Sequence, residues 1–244
     1  MKNMPKICIV VPAYNEEANI ASVIGSLKTC NPEFTVVVVN DGSSDRTGRV
    51  AESTNQAVVL NLPCNLGIGG GVQTGFRFAA QNGFDIAVQF DGDGQHIAEE
   101  IQKILSPILG GTADVVIGSR FIDHGQAGFK STGMRRIGIR IFSILNSIIV
   151  KQKITDNTSG FRAYNREAFC MLARYYSADY PEPEAVILLG KNGFRMQEVA
   201  VEMRARQGGT SSIHGLKSAY YMFKVITSIL ITAIRPLVKR ETLK

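Results

Sequence analysis

Apolar residues in the first 120 positions come in short, nearly unbroken runs, each closed by a polar turn and followed by a stretch of helical period. Ile7-Cys-Ile-Val-Val11, Thr35-Val-Val-Val-Val39, Ala57-Val-Val-Leu60, Asp85-Ile-Ala-Val-Gln-Phe90 and Asp114-Val-Val-Ile117 have the length and β-branched content of strands. Amphipathic stretches ending near Lys28 and Thr54, and those over 72–81 and 98–109, predict the intervening helices. Runs without polar alternation belong to strands covered on both faces. The pattern therefore predicts an α/β fold, a Rossmann-like and mainly parallel sheet flanked by helices. Ligands of such sheets bind beyond the carboxyl ends of the strands.

After residue 120 the alternation ends. A helix with basic residues at its start is expected over 135–150, a polar, turn-rich segment over 155–164, helices over 165–176 and 184–192, and a late strand over 196–203. No linker or repeat interrupts residues 1–215, which read as one domain with a nucleotide half to about 120 and an acceptor half over 121–215. Residues 216–244 read as an amphipathic, basic C-terminal helix and tail. Only ten residues separate Lys224 from Arg235, whereas a spanning helix needs about twenty. Lys217, Lys224, Ser228, Thr232 and Arg235 fall on one stripe and leave a broad apolar face; Lys239, Arg240 and Lys244 follow. This describes an interfacial helix for anionic lipid. The plainer alternative is a terminal helix packed on the domain or at an oligomer interface.

The 244 residues are 45% hydrophobic and 20% charged, as in an ordinary globular protein. A net charge of +6 and a pI near 9.2 point to anionic partners. Trp is absent and aromatic residues do not interleave with basic ones, which ranks nucleic acid low. Cys8, Cys30, Cys64 and Cys170 form no CxxC pair, so neither a zinc site nor a disulfide framework is expected, and a reducing compartment fits. The amino terminus leads straight into a strand without a signal-peptide pattern.

Candidate chemistry gathers at the strand ends. Asp91 and Asp93 would repel each other and need a cation nearby; a divalent ion carrying phosphate oxygens fits, a solvated turn being the bland reading. In Val11-Pro-Ala-Tyr-Asn-Glu-Glu17, Asn15 can cap the next helix and Tyr14 can stack on a base. Asp41 follows its strand directly and can accept hydrogen bonds from a base or ribose, with Asp45 as a helix cap. Asn65-Leu-Gly-Ile-Gly-Gly-Gly71 lacks the G-x-G-x-x-G spacing of a dinucleotide fingerprint but suits an anion at a helix start. Arg120, Arg135, Arg136 and Arg206 offer forks for phosphate. His96, three residues from Asp93, is near enough to reach the metal but is expected at the surface or behind the ligands, and His124 and His214 are expected in loops.

Taken in order, Val11-Pro-Ala-Tyr-Asn-Glu16, Val39-Asn-Asp-Gly-Ser-Ser-Asp45, Asn65-Leu-Gly67, Asp91-Gly-Asp-Gly-Gln-His96, Gly118-Ser-Arg120, Thr158-Ser-Gly-Phe-Arg-Ala-Tyr164 and Arg206-Gln-Gly-Gly-Thr-Ser211 resemble family 2 glycosyltransferases of GT-A fold. Within them the match is to the dolichyl-phosphate mannose synthase-like, polyprenyl-phosphate branch, over residues 5 to about 215. The resemblance implies a UDP- or GDP-sugar whose base and ribose meet Pro12, Tyr14, Glu16, Asp41 and Asn65. It implies Mg²⁺ or Mn²⁺ held with the diphosphate by Asp91 and Asp93, Gln95 beside the sugar, and Arg120, Arg135 and Arg206 on phosphate. Catalytic weight then falls on Asp93, Gln95, Arg120, Arg135 and Arg206. Arg206-Gln-Gly-Gly-Thr-Ser211 departs from mannose synthases, which tend to carry a lysine after Gly-x-Ser.

The implied reaction is inverting, metal-dependent sugar transfer to polyprenyl phosphate by a peripheral protein on the cytoplasmic face of a membrane. A lipid phosphate is already anionic and needs no strong base. A glycan hydroxyl, the alternative acceptor in cell-surface polysaccharide assembly, requires one, and Glu184 in Tyr180-Pro-Glu-Pro-Glu184 is the candidate, unless it only ties down its loop. A third reading is a non-catalytic, membrane-docked subunit. A homo-oligomer or a small membrane partner stays open.

Overall fold

The structure is a computed structural model that describes residues 4–122, 150, 152, 154–177, 179, 181–204, 224 and 227–238. Strands β1 (Ile7–Ala13), β2 (Thr35–Asn40), β3 (Ala57–Asn61), β4 (Ile86–Gln89), β5 (Val115–Ser119), β6 (Arg162–Asn165) and β7 (Met196–Ala200) form one sheet in the order β3-β2-β1-β4-β6-β5-β7. Among the described strands only β6 runs against its neighbours. The remaining pairs, β1 with β2 and β4, β2 with β3 and β5 with β7, are parallel.

Helices α1 (Ile20–Cys30), α2 (Thr47–Ser53), α3 (Gly67–Gln81), α4 (Ile101–Leu109), α5 (Arg166–Tyr175) and α6 (Pro181–Lys191) cover the sheet. A short 3₁₀ turn, Ala98–Glu100, leads into α4. Alternate strand residues enter different cores. Ile9, Val11, Val36 and Val38 pack with Ile24, Leu27 and Ile104 on one face; Cys8, Val10, Val37 and Val39 pack with Val72, Phe76 and Phe169 on the other. Both faces being buried is why the strands read as unbroken apolar runs.

Two expectations need correction. The glycine-rich turn after β3 is already helical from Gly67, so α3 begins five residues before the expected 72. Gly75 serves packing: a Cβ there would lie 2.1 Å from Val10 Cγ1, so only glycine lets α3 sit this close to β1. The segment over 155–164 is not all turn, because Arg162–Asn165 is β6, an interior strand. Its sequence, Arg-Ala-Tyr-Asn, is too short and polar to show a strand period. The helix expected over 135–150 falls outside the described residues except at Val150. The late strand ends at Ala200, and His96 pairs beyond it with Met203 in an isolated antiparallel bridge. A C-terminal helical segment is present over residues 227–234.

Candidate active site

The carboxyl ends of β1, β2, β4 and β5 share one edge of the sheet. Pro12 is the penultimate residue of β1, with Tyr14 and Glu16 just beyond the strand; Asp41 follows β2; Asp91, Asp93 and Gln95 follow β4; Arg120 follows β5. Asn65 lies between β3 and α3. Arg135 and Arg206 fall outside the described residues, as do Arg136, His124 and His214.

On the side expected to take the nucleotide, the turns are laced together. Asp41 donates its main-chain N–H to the Ala13 carbonyl at 2.9 Å, and its buried carboxylate accepts from the Leu66 amide at 2.7 Å. Asn65 Oδ1 accepts from the Gly67 amide at 2.9 Å. These amides open α3, so side chains already satisfy two donors that an anion there would use. Asn15 does not cap α1. It sits in the left-handed region at φ 57, donates to Ser43 Oγ and accepts from the Ser44 amide at 2.9 Å, joining the turns after β1 and β2. Asp45 accepts from the Thr47 amide at 2.8 Å at the start of α2. Glu16 accepts from Asn19 Nδ2 at 2.8 Å, and the Tyr14 ring is 48% exposed, open to a stacking partner.

The Asp91–Asp93 turn is built more tightly. Asp91 Oδ2 meets His96 Nε2 at 3.1 Å, and His96 is buried, stacked on Phe161 at 4.9 Å and edge-on to Phe90. Its Nδ1 is buried without a hydrogen-bond partner. Gly160 passes directly over the carboxylate: a Cβ there would lie 2.8 Å from Oδ2 and 2.9 Å from Oδ1. Burial pushes the Asp91 carboxyl upward, but the His96 hydrogen bond and the charges of His96, Arg120 and Arg162 outweigh it and hold the group below the usual carboxylate range. Asp93 Oδ1 accepts from the Gln95 amide at 3.0 Å, which folds the turn back through Gly94 at φ 75.

Two half-exposed carboxylates of hard oxygen donors fit a Mg²⁺ or Mn²⁺ ion whose other ligands come from a diphosphate. Among the described residues no group of three or more His, Cys, Asp or Glu could hold an ion.

Arg120 is engaged by a carboxylate. Its Nε and Nη2 donate to Asp156 at 2.8 and 2.7 Å, and Nη2 also reaches Thr158 Oγ1 at 2.9 Å. Asp156 is fully buried and is itself held by its amide on Glu198 Oε1 at 2.7 Å. A bidentate pair of this kind fixes the guanidinium plane at the end of β5.

Asp156, Arg162 and Glu182 were not legible as site residues. Arg162 stands opposite Gln89 in the β4–β6 register and is 1% exposed. Its guanidinium donates to three main-chain carbonyls, Ser159 at 2.7 Å, Asn157 at 2.8 Å and Glu182 at 3.0 Å. Glu182, at the start of α6, has its carboxyl raised by burial, against the opposing pull of the Arg162 charge, and the Asp91 charge raises it further. The one available signal was Gly160-Phe-Arg162, an arginine inside a short polar run. Glu184, the candidate base, accepts instead from Ser177 Oγ at 2.9 Å, Thr232 Oγ1 at 3.0 Å and Ser228 Oγ, the structural alternative for that residue.

The sequence pattern of glycosyl transferase family 2 matches residues 8–172. A UDP-N-acetylglucosamine–dolichyl-phosphate N-acetylglucosaminyltransferase of Methanococcus voltae is 30% identical over 237 residues, covering 88% of this chain and 93% of that one. An undecaprenyl-phosphate mannosyltransferase of Micrococcus luteus is 31% identical over 218 residues, covering 86% and 88%. Among solved structures, glucosyl-3-phosphoglycerate synthase of Mycobacterium tuberculosis, in complex with Mn²⁺, UDP and phosphoglyceric acid, superposes with a TM-score of 0.73 at 22% identity, over 96% of this chain and 81% of that one. The sheet with its flanking helices is thus the GT-A arrangement, and the chain belongs to glycosyl transferase family 2 and is a glycosyltransferase.

Proposed function

We propose that the protein transfers a sugar from a nucleoside diphosphate sugar to a polyprenyl phosphate, with inversion, at the cytoplasmic face of a membrane. The observation that carries this reading is likeness along most of both chains to transferases that act on dolichyl and undecaprenyl phosphate. The strand-end geometry supports it. Asp41 and Tyr14, proposed to meet the base and ribose, follow β2 and β1; the Asp91–Asp93 pair follows β4, on the other side of β1 from β2; and Arg120 follows β5, beyond β6.

Mg²⁺ or Mn²⁺, when bound with the donor, neutralises charge on the leaving diphosphate. Asp91 is kept ionised for that role by His96, Arg120 and Arg162. Gly160 and His96 fix the direction of its carboxylate from two sides. Arg120, its guanidinium plane fixed by Asp156, would serve as a preorganised donor where two anionic reactants must meet. A phosphate acceptor arrives already deprotonated, so no side chain has to remove its proton. That Glu184 is occupied by three hydroxyl groups agrees with such a reaction.

The test is incubation with labelled nucleotide sugars and undecaprenyl phosphate, followed by lipid extraction. Acid-labile label in the lipid is the expected result; label only in glycan indicates the hydroxyl acceptor, and no label with any donor refutes the transfer. Asp93→Ala is expected to abolish turnover, and unimpaired turnover removes the metal assignment.

A further inference from the structure

The C-terminal helical residues 227–234 carry their amphipathic pattern the wrong way round for a water-facing surface. Ser228 and Thr232, one turn apart, point at the protein and donate to the Glu184 carboxylate. Ile229 is wholly buried beside them. Lys191 Nζ caps the segment by donating to the Ala233 carbonyl and, at 2.7 Å, to that of Arg235. Asn192 Oδ1 accepts from the Val238 amide at 2.8 Å. The opposite face presents Leu230, Ile231 and Ile234, with Leu237 after it, between 49% and 82% exposed. A helix lying on a domain in water buries its apolar stripe and exposes its polar one. Here hydroxyls that the sequence pattern would have turned to lipid headgroups are spent on a buried carboxylate, and aliphatic side chains face outward.

Charge identifies what covers that face. Residues 203–240 contain seven Lys and Arg and no Asp or Glu. The remaining 20 of the chain's 27 Lys and Arg stand against 21 Asp and Glu. The whole positive excess therefore resides in the segment that bears the apolar face. A second copy docked face to face would bring two such cationic segments together. An anionic bilayer supplies an apolar interior for the aliphatic side chains and negative headgroups for Arg235.

We propose that Leu230, Ile231, Ile234 and Leu237 form a surface that inserts shallowly into an anionic bilayer, with Glu184 latching the helix in that orientation. This deepens the proposed function and rests on it only for the reason a membrane is needed. The latch also ties the surface to the site. Glu184 lies two residues from Glu182, whose carbonyl accepts from Arg162, one of the charges that hold the Asp91 carboxyl low.

The full chain should sediment with vesicles of phosphatidylcholine and phosphatidylglycerol, and at least tenfold more weakly with phosphatidylcholine alone, each surface cation being worth about fivefold. Ile231→Glu/Ile234→Glu, both on the exposed face, should reduce partitioning into the anionic vesicles at least 30-fold. Leu109→Glu, at an equally exposed leucine on α4, should leave it unchanged. Undiminished binding of the double variant overturns the proposal. So does a wild-type dimer in sedimentation velocity that the double variant splits, with no vesicle binding by either, which assigns the face to a second copy. Transfer to a short, water-soluble isoprenyl phosphate without vesicles separates this proposal from the one it deepens. Retained transfer by a variant that no longer sediments supports the surface. Absence of transfer by the wild type with every donor counts against the proposed function and leaves the sedimentation result standing.

Discussion

Gly160→Ala isolates the geometry of Asp91 from the stability of the fold. Gly160 does not occupy the left-handed region, so alanine is tolerated by the backbone and the only change is one methyl group. That methyl would stand 2.8 and 2.9 Å from the two Asp91 carboxylate oxygens. Ordinary contact begins near 3.4 Å, so the carboxylate must retreat by about 0.5 Å, the tolerance of a preorganised site. The retreat strains its bond to His96 Nε2, now at 3.1 Å, and re-aims the oxygens that would share a metal with the diphosphate. Because the methyl meets the end of a partly exposed side chain and no backbone, the cost to the fold is expected to stay below about 1 kcal/mol, or roughly 2–4 °C in Tm. Activity is expected to fall much further, since a misplacement of about 1 Å costs on the order of 100-fold in a positioned reaction. The assay is kcat at saturating donor as a function of Mn²⁺ and Mg²⁺, beside a thermal melt. The predicted signature is a loss of ten- to 100-fold with a raised metal requirement and a nearly unchanged Tm. Wild-type activity with an unchanged metal requirement would refute the argument that Gly160 sets the Asp91 carboxylate. Collapse of the melt would refute the claim that the glycine serves the site and not the fold.

Gly75→Ala should act in the opposite way. Its Cβ would lie 2.1 Å from buried Val10 Cγ1, so overpacking of about 1–3 kcal/mol outweighs the helix propensity gained, and Tm should drop by several degrees; a raised Tm refutes it. Cys64 is exposed, whereas burial pushes the Cys8 thiol up to about 12, so Ellman's reagent at neutral pH should label Cys64 promptly and Cys8 only on unfolding. Since the folded-state value of Cys8 lies above its ordinary 9.0, its contribution to stability is fully present below pH 9 and lost as pH rises toward 12, which Cys8→Ala should blunt in alkaline melts. Glu182→Gln distinguishes the acceptors. With a phosphate acceptor kcat should stay within about threefold, whereas a hydroxyl acceptor deprotonated by Glu182 would lose about 10²–10⁴-fold.

The fold was legible where apolar period decides structure. β1, β2 and β3 begin at Ile7, Thr35 and Ala57, the residues that open their expected runs, and 98–109 is helical throughout. Legibility failed where packing or the site overrides composition. The glycines of α3 look like a loop, yet Gly75 is there because Val10 occupies the space a side chain would need. Arg162–Asn165 looks like a turn because an interior strand at the floor of a polar site cannot be apolar. Asp41, Asp91 and Asp93 could be placed from the sequence because each directly follows, or nearly follows, a recognisable strand. Asp156, which engages Arg120 from 36 residues away, has no such marker.

The segment Pro181-Glu-Pro-Glu184 shows what sequence spacing alone leaves open. Two glutamates two residues apart in the first turn of a helix project in different directions, about 200° around its axis. A base is needed only if the acceptor is a hydroxyl, and Glu184 is the candidate the sequence offers. The structure ties the buried Glu184 to Ser177, Ser228 and Thr232, whereas the Glu182 carboxyl feels the charges of Arg162 and Asp91. Burial raises the Glu182 carboxyl while the neighbouring Arg162 charge opposes the rise. A general base for a hydroxyl acceptor would want that raised affinity for a proton. A site for two phosphates would want the local field positive, as Arg120 and Arg162 make it around Asp91. Both tendencies meet within one turn of α6, and the choice between acceptors therefore reduces to whether removing the Glu182 charge costs turnover.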